Sequence, residues 1–222
     1  EKLTRAHYEN FPIGWFLPKK LRRPVYSLYA FARTADDFSD EAGYASSEDR
    51  LQHLDEWQEN LRLAARGTPP ADQPIFIALA ETIRQFQLPT SLLADLLTAF
   101  RLDVTKKRYK NYSELEEYCR FSANPIGRLV LLLFGHQEKG LFEARLFEAS
   151  DRICTGIQLV NHWQDIGIDL AKDRVYLPEE DLDRFRYSLA DLKAGKVNEA
   201  FCSLMRFQIA RTRSLFFEGK PL

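Results

Sequence analysis

Arg33-Thr34-Ala35-Asp36-Asp37-Phe38-Ser39-Asp40-Glu41 is the stretch on which the reading of this chain turns. At about 100° per residue on a helix, Tyr29, Arg33, Asp36, Asp37 and Asp40 share an arc of roughly 100°. Like charges at i,i+4 destabilise a helix by ~0.2–0.5 kcal/mol per pair. A helix that still gathers three carboxylates on one face points to a compensating cation. The bland alternative is a solvated face with surface ion pairs.

A second cluster lies far along the chain: Gln158, Asn161, Asp165 and Asp169. These four share an arc of roughly 80° by the same geometry. Their neighbours Ile153, Ile157 and Val160 are apolar, which predicts a largely buried helix with a polar stripe cutting into the interior. A buried polar stripe needs partners or ions. Both sets offer oxygen donors, which suits Mg²⁺, an ion that keeps several waters and takes phosphate oxygens as ligands. Two such clusters with apolar flanks favour a metal site over two solvated faces. The expectation is two acidic helices facing each other across a hydrophobic cavity.

Helical periodicity extends outward from both clusters, with no strand alternation. Pro24 is expected at a first helical position, with the helix closed near Glu41 by Gly43. Ser46 and Ser47 are expected to cap a helix with Leu51, Leu54, Trp57 and Leu61 inward. Helices carrying Ile75, Leu79, Ile83 and Phe86, then Leu93, Leu96, Leu97, Phe100 and Val104, follow. Lys106 to Asn111 reads as a connection, its basic run a solvated loop. Ser113, with Glu116 at capping-box spacing, is expected to start a helix to about His136, kinked near Asn124 by Pro125 and Gly127. The next helix is expected over Leu141 to about Leu170, with Leu146, Ile153, Ile157 and Val160 on one side. A short extended piece (Val175-Tyr176-Leu177) leads to a helix start at Pro178. A last amphipathic helix uses Phe201, Leu204, Ile209 and Phe216. The fold class is all-α, a single-domain helix bundle without a linker or repeat.

Composition narrows the function. The net charge of −1 removes the basic bulk that non-specific nucleic-acid binding needs, so no nucleic-acid partner is expected. Cys119, Cys154 and Cys202 show no paired spacing and read as reduced thiols. No stretch approaches the ~20 apolar residues that span a bilayer. With no targeting pattern, the expected location is cytoplasmic, and peripheral contact with the inner face of a membrane stays open.

These motifs resemble those of the squalene/phytoene synthase family. Asp36-Asp37-x-x-Asp40, with Tyr29 and Arg33 upstream, is similar to the family's first aspartate motif. Gln158-x-x-Asn161-x-x-x-Asp165-x-x-x-Asp169, followed by Asp173-Arg174-Val175-Tyr176-Leu177-Pro178, is similar to its second. The resemblance covers nearly the whole chain. It implies an isoprenoid-synthase helix bundle around a central hydrophobic cavity. Finer features resemble the family's bacterial hydroxysqualene synthases: His7-Tyr8-Glu9-Asn10-Phe11-Pro12, Ser122-Ala123-Asn124-Pro125-Ile126-Gly127, and Asn161-His162-Trp163-Gln164-Asp165. Gln164 stands where other branches usually carry Arg, so one basic diphosphate contact is missing. Family members usually continue by about another quarter of this length, so the C-terminal helices that supply a Tyr and an Arg are expected to be absent from a chain ending at Leu222.

The resemblance implies Mg²⁺-assisted ionisation of a prenyl diphosphate, either presqualene or farnesyl diphosphate. Asp36, Asp37, Asp40, Asn161, Asp165 and Asp169 become the implied metal set, with Tyr29 and Tyr176 beside the catalytic aspartates Asp36, Asp40, Asp165 and Asp169. Arg33, Gln158, Lys172 and Arg174 become diphosphate contacts. His7, Phe11, Tyr118, Phe121, Ser122, Asn124 and Gly127 become pocket residues, with Ser122 and Asn124 as candidates to position a capturing water. His162 lies about 100° around the helix from Asn161 and reads as a structural or supporting residue rather than a ligand. No glycine-rich strand-turn-helix for a nicotinamide cofactor is visible. Rival readings are condensation of two farnesyl diphosphates, a non-catalytic scaffold working with other squalene-pathway enzymes, and a lipid-binding helical module.

Overall fold

A computed structural model describes residues 17–40 and 46–222. The expected pocket residues His7 and Phe11, and the expected helix end at Glu41 and Gly43, lie outside these. Among the described residues the secondary structure is helical, apart from one isolated parallel bridge between Arg108 and Val175. The all-helical expectation is met. The chain forms two compact units, one comprising residues up to Val104 with Leu129–Gln137, the other Thr105–Arg128 with Glu138–Leu222. Each is described by itself.

The first unit contains α1 (Lys19–Asp40), α2 (Ser47–Ala65), α3 (Pro74–Phe86) and α4 (Thr90–Thr105). Pro24 lies inside α1, not at its start. A proline this near the N-terminus removes only an early backbone bond, and the helix begins at Lys19. The buried face of α1 is Leu21, Pro24, Ser27, Phe31, Ala35 and Ser39. Phe31 packs against Trp57 at 6.1 Å and Phe76 at 6.0 Å between ring centroids, and Trp57 meets Phe76 at 4.5 Å. The Trp57 indole N–H donates to the Phe31 carbonyl at 3.2 Å, so α2 is fixed to α1 by a bond as well as by burial. Ser46 is the N-cap of α2, accepting from the Asp49 N–H at 3.1 Å, while Ser47 is already helical.

The second unit is built around α7 (Leu141–Gln164), with α5 (Tyr112–Ser122) and α11 (Glu199–Glu218) packed against it. Asn111, not Ser113, caps α5: its side chain accepts from the Glu114 N–H at 2.9 Å. Asn and Ser cap about equally well, and because the helix starts at Tyr112 the cap position falls to Asn111. The expected kink is a break at Ala123, after which α6 runs Asn124–Leu133. The expected Leu141–Leu170 helix ends at Gln164, and a short α8 follows over Ile166–Ala171. Two further short helices, α9 (Glu179–Arg184) and α10 (Leu189–Lys193), precede α11. Trp163 donates to Thr212 at 2.9 Å, tying α7 to α11. Buried Asp181 accepts from Gln208 and Arg211, each at 2.8 Å, tying α9 to α11. Ile209, expected inward, is 55% exposed.

Gly127 has a packing role. A Cβ there would lie 2.4 Å from Ser150 Oγ and 2.5 Å from Cys154 Sγ on α7. Only hydrogen at this position lets the first turn of α6 approach α7. Gly127→Ala is therefore expected to destabilise the protein by about 1–3 kcal/mol through overpacking. Urea unfolding of the variant against the parent measures this, and an unchanged midpoint would contradict the close approach.

Candidate active site

The first acidic motif sits on the side of α1 turned away from its core. Taking buried Ala35 as zero and about 100° per residue, Asp36 falls near 100°, Asp40 near 140° and Asp37 near 200°. Arg33 falls near 160° and Tyr29 near 120°, within the same arc. Arg33 lies among the carboxylates: Nη1 is 3.2 Å from Asp36 Oδ2 and Nε is 2.9 Å from Asp37 Oδ1. One guanidinium thus offsets repulsion that would otherwise fray this turn. These side chains are partly open, with Asp36 at 36% and Asp37 at 25% exposure.

The end of α1 is held from α2. Arg50 Nη1 donates to the Ser39 carbonyl at 2.5 Å and the Phe38 carbonyl at 3.3 Å. These belong to the C-terminal carbonyls that a helix leaves unpaired. Arg50 therefore fixes the turn that carries Asp40. No local pattern in the sequence marks Arg50 for this task, because its partners are backbone atoms eleven and twelve residues away.

The second motif crosses the junction of α7 and α8. The Asp165 N–H donates to the Asn161 carbonyl at 2.9 Å, and the Asp169 N–H to the Asp165 carbonyl at 2.8 Å. Helical register therefore survives the junction, and the three residues keep the i,i+4 spacing expected of them. The expected burial is corrected. Ile157 is 51% exposed, and the buried face is Phe147, Ala149, Ser150, Thr155, Gly156, Leu159 and His162. Asn161 and Asp165 are exposed, while Gln158 and Asp169 are half-buried. The apolar flank at Ile153 and Ile157 is the more open side of α7, so the polar stripe does not cut into this unit's core.

The basic run is corrected too. It is a fixed rail, not a solvated loop. Lys106 pairs with Glu114 at 2.8 Å and Arg108 with Asp173 at 2.6 Å. Val175 N–H donates to the Lys107 carbonyl at 3.0 Å, Glu179 to Tyr109 at 2.9 Å, and Glu180 to Lys110 at 3.0 Å. The hydrogen bond and charge of Arg108 hold the Asp173 carboxyl below its usual range. Asp173 has φ +57°, a left-handed turn that an Asp tolerates better than most residues. That turn sends the chain from α8 into the extended piece Arg174-Val175-Tyr176-Leu177.

Tyr176 is buried and stacked on His162, with centroids 3.6 Å apart and planes at 12°. Tyr118 lies 5.7 Å from Tyr176 and 5.9 Å from His162, and Tyr109 lies 5.6 Å from both tyrosines. Burial, helped by the charge of Arg174, pushes the His162 imidazole down to about 3. His162 is therefore neutral and supporting, as its angle on the helix suggested. It also lies 3.4 Å from the Gln158 amide nitrogen. A narrow cavity has His162, Asp169, Arg174 and Tyr176 in its lining, so these four expected or flanking residues do come together. Arg174 is buried and Lys172 is exposed.

Among the pocket candidates, Tyr118 belongs to this aromatic core, and Phe121 lies under the Arg120 guanidinium at 4.0 Å. Asn124 Oδ1 accepts from the Thr155 hydroxyl at 2.9 Å. Ser122 Oγ is buried and has no hydrogen-bond partner among the described residues. Such an orphan costs about 1–3 kcal/mol, so a polar group left in that state asks for a ligand or water.

The donor chemistry fits Mg²⁺. Among the described residues no three His, Cys, Asp or Glu side chains gather into a ready-made cation cage. Mg²⁺ does not need one, because it typically takes one or two carboxylates plus waters and phosphate oxygens. Asp36 with Asp37, and Asn161 with Asp165, supply that kind of donor set.

The sequence model of squalene/phytoene synthases matches residues 4–222. This chain belongs to the squalene/phytoene synthase family. The hydroxysqualene synthase of Rhodopseudomonas palustris is 36% identical over 216 residues, covering 96% of this chain and 70% of that enzyme. The phytoene synthase of Arthrospira platensis is 32% identical over 224 residues, covering 97% and 71%. The crystal structure of squalene synthase HpnC from Alicyclobacillus acidocaldarius superposes with a TM-score of 0.90 at 39% identity, covering 99% of this chain and 80% of the other. A dehydrosqualene synthase in complex with ligand gives 0.83 at 26% identity, covering 98% and 73%. The family resemblance and the helix-bundle fold expected from the two motifs are thereby upheld. No helix among the described residues is long and apolar enough to cross a membrane.

The buried histidine gives a pH prediction. Its folded value of about 3 lies below the ordinary 6.5. As pH falls below 6.5 the unfolded chain takes up a proton that the folded chain refuses. Stability attributable to His162 is complete above pH 6.5 and lost on acidification, by up to ~1.4 kcal/mol per pH unit. Urea unfolding at pH 7.5 and pH 5 is expected to show a smaller acid loss in His162→Phe than in the parent. Equal losses would place His162 outside the core.

Proposed function

We propose that this protein ionises presqualene diphosphate and captures the rearranged cation with water, giving hydroxysqualene. The observation that carries the reading is the presence of two carboxylate motifs, each in helical register, one on α1 and one across α7–α8, in a chain similar to hydroxysqualene synthases over nearly its whole length. Gln164 in place of the usual arginine, and Ser122 and Asn124 as polar pocket candidates, support the water-capturing branch.

Asp36, Asp37 and Asp40 of the first motif and Asn161, Asp165 and Asp169 of the second are the residues that would hold Mg²⁺, which would supply Lewis-acid neutralisation of the leaving diphosphate. Arg33 now spans Asp36 and Asp37. With the carboxylates engaged elsewhere, its N–H groups are released to donate to phosphate oxygens. Arg174, buried beside Asp169 and His162, adds a desolvated positive charge, and exposed Lys172 adds a mobile one. Gln158 donates or accepts one turn before Asn161. The His162–Tyr176 stack adds an uncharged aromatic surface beside Arg174 and Asp169, and aromatic faces tolerate a nearby cation. Tyr29 flanks the first motif on the same face as Arg33. Because the product is apolar, peripheral contact with a membrane and with enzymes of the same route belongs to this reading, as does a cytoplasmic location.

Condensation of two farnesyl diphosphates is the second reading, favoured by the similarity to phytoene and dehydrosqualene synthases. Product mass separates the two. The full-length protein with Mg²⁺ and presqualene diphosphate is expected to give a C30 alcohol without a reductant. Asp165→Ala is expected to lower diphosphate release by about 10²–10³-fold. Consumption of farnesyl diphosphate alone would overturn the assignment.

A further inference from the structure

We infer that Thr155 is a positioning residue for the water that quenches the cation, acting through Asn124 with Ser122 as the second contact. The inference rests on the hydroxysqualene reading and extends it to a residue that the family motifs do not include. Thr155 is only 4% exposed and lies on the buried face of α7, one turn before Gln158. Its hydroxyl is directed to another side chain: Thr155 Oγ1 donates to Asn124 Oδ1 at 2.9 Å. Packing alone would be served by valine, which has the same shape and no hydroxyl.

The bond fixes which edge of the Asn124 amide is free. With Oδ1 engaged by Thr155, the NH₂ group is left to donate. Two residues earlier, the buried Ser122 Oγ has no hydrogen-bond partner among the described residues and can accept. A nucleophilic water needs this combination. One lone pair accepts from Asn124 Nδ2, one O–H donates to Ser122 Oγ, and the second lone pair stays free for carbon. The balance closes without a reductant. The ester C–O bond breaks with its electron pair leaving on diphosphate. The water lone pair forms the new C–O bond, and the surplus proton ends on the released diphosphate.

At about 1.5 Å per residue, Thr155 lies roughly 9 Å along the helix from Asn161 and 15 Å from Asp165. The polar contact is thus set back along the helix axis from the implied diphosphate-holding end, on the buried side of α7.

The test is the share of hydroxysqualene among all C30 products from presqualene diphosphate with Mg²⁺, measured by mass spectrometry. The total rate does not enter this ratio. Thr155→Val is expected to lower the share roughly five-fold, the equivalent of one hydrogen bond, with eliminated hydrocarbons or isomeric alcohols in its place. Thr155→Ser is expected to restore it. Ser122→Ala, which deletes one oxygen, is expected to lower it independently and serves should Thr155→Val fold poorly. An unchanged share in Thr155→Val and Ser122→Ala, with hydroxysqualene still made by the parent, overturns this inference alone. Absence of hydroxysqualene from the parent overturns the functional reading and this inference with it.

Discussion

Three carboxylates on one face of a helix must be neutralised, and in this protein that constraint organises the first motif. Arg33 answers it locally, at 3.2 Å from Asp36 and 2.9 Å from Asp37. The guanidinium supplies the positive charge that these two carboxylates need. Arg50 then fixes the last turn of α1 by its carbonyls, so that Asp40 is presented from a helix end secured by a second helix. The aromatic group of Phe31, Trp57 and Phe76 anchors the opposite face. Core and charge are thus divided cleanly around one helix, which is what lets the acidic face stay partly open.

The second motif is held by different means. It crosses a helix junction, yet the Asn161–Asp165–Asp169 register is preserved by two backbone bonds. Next to it, the neutral His162 ring lies flat on Tyr176, and two further tyrosines complete the cluster. A charged histidine here would face Arg174 in a buried setting, and burial resolves that conflict by removing the proton. The Lys106–Lys110 rail, paired to the segment after α8, fixes where Tyr176 and Arg174 lie.

The two carboxylate arcs were legible because angular spacing on a helix needs only local rules, and those rules hold across residues 29–40 and 158–169. The family followed from the same residues. What misled was context. Ile153 and Ile157 looked like a core flank, but Leu159 and His162 face the core and Ile157 does not. The basic run looked solvated, because its partners Asp173 and Val175 lie more than sixty residues away and Glu114 belongs to the next helix. Pro24 and Ser113 suit helix starts by position preference, but both helices begin earlier, at Lys19 and at Tyr112, and preference alone does not choose between Ser113 and the equally good cap Asn111. Thr155 had no sequence signal at all. Its role depends on a bond to a residue thirty-one positions away.

The central claim is that both carboxylate motifs act on one diphosphate through shared Mg²⁺. Calorimetric titration of inorganic pyrophosphate into the protein tests it most directly, with and without Mg²⁺, for the parent, Asp36→Asn, Asp165→Asn and the double variant. The account predicts Mg²⁺-dependent binding that either single substitution abolishes, the double variant being no worse than either. Binding that survives both substitutions, or that is equally strong in EDTA, would contradict it.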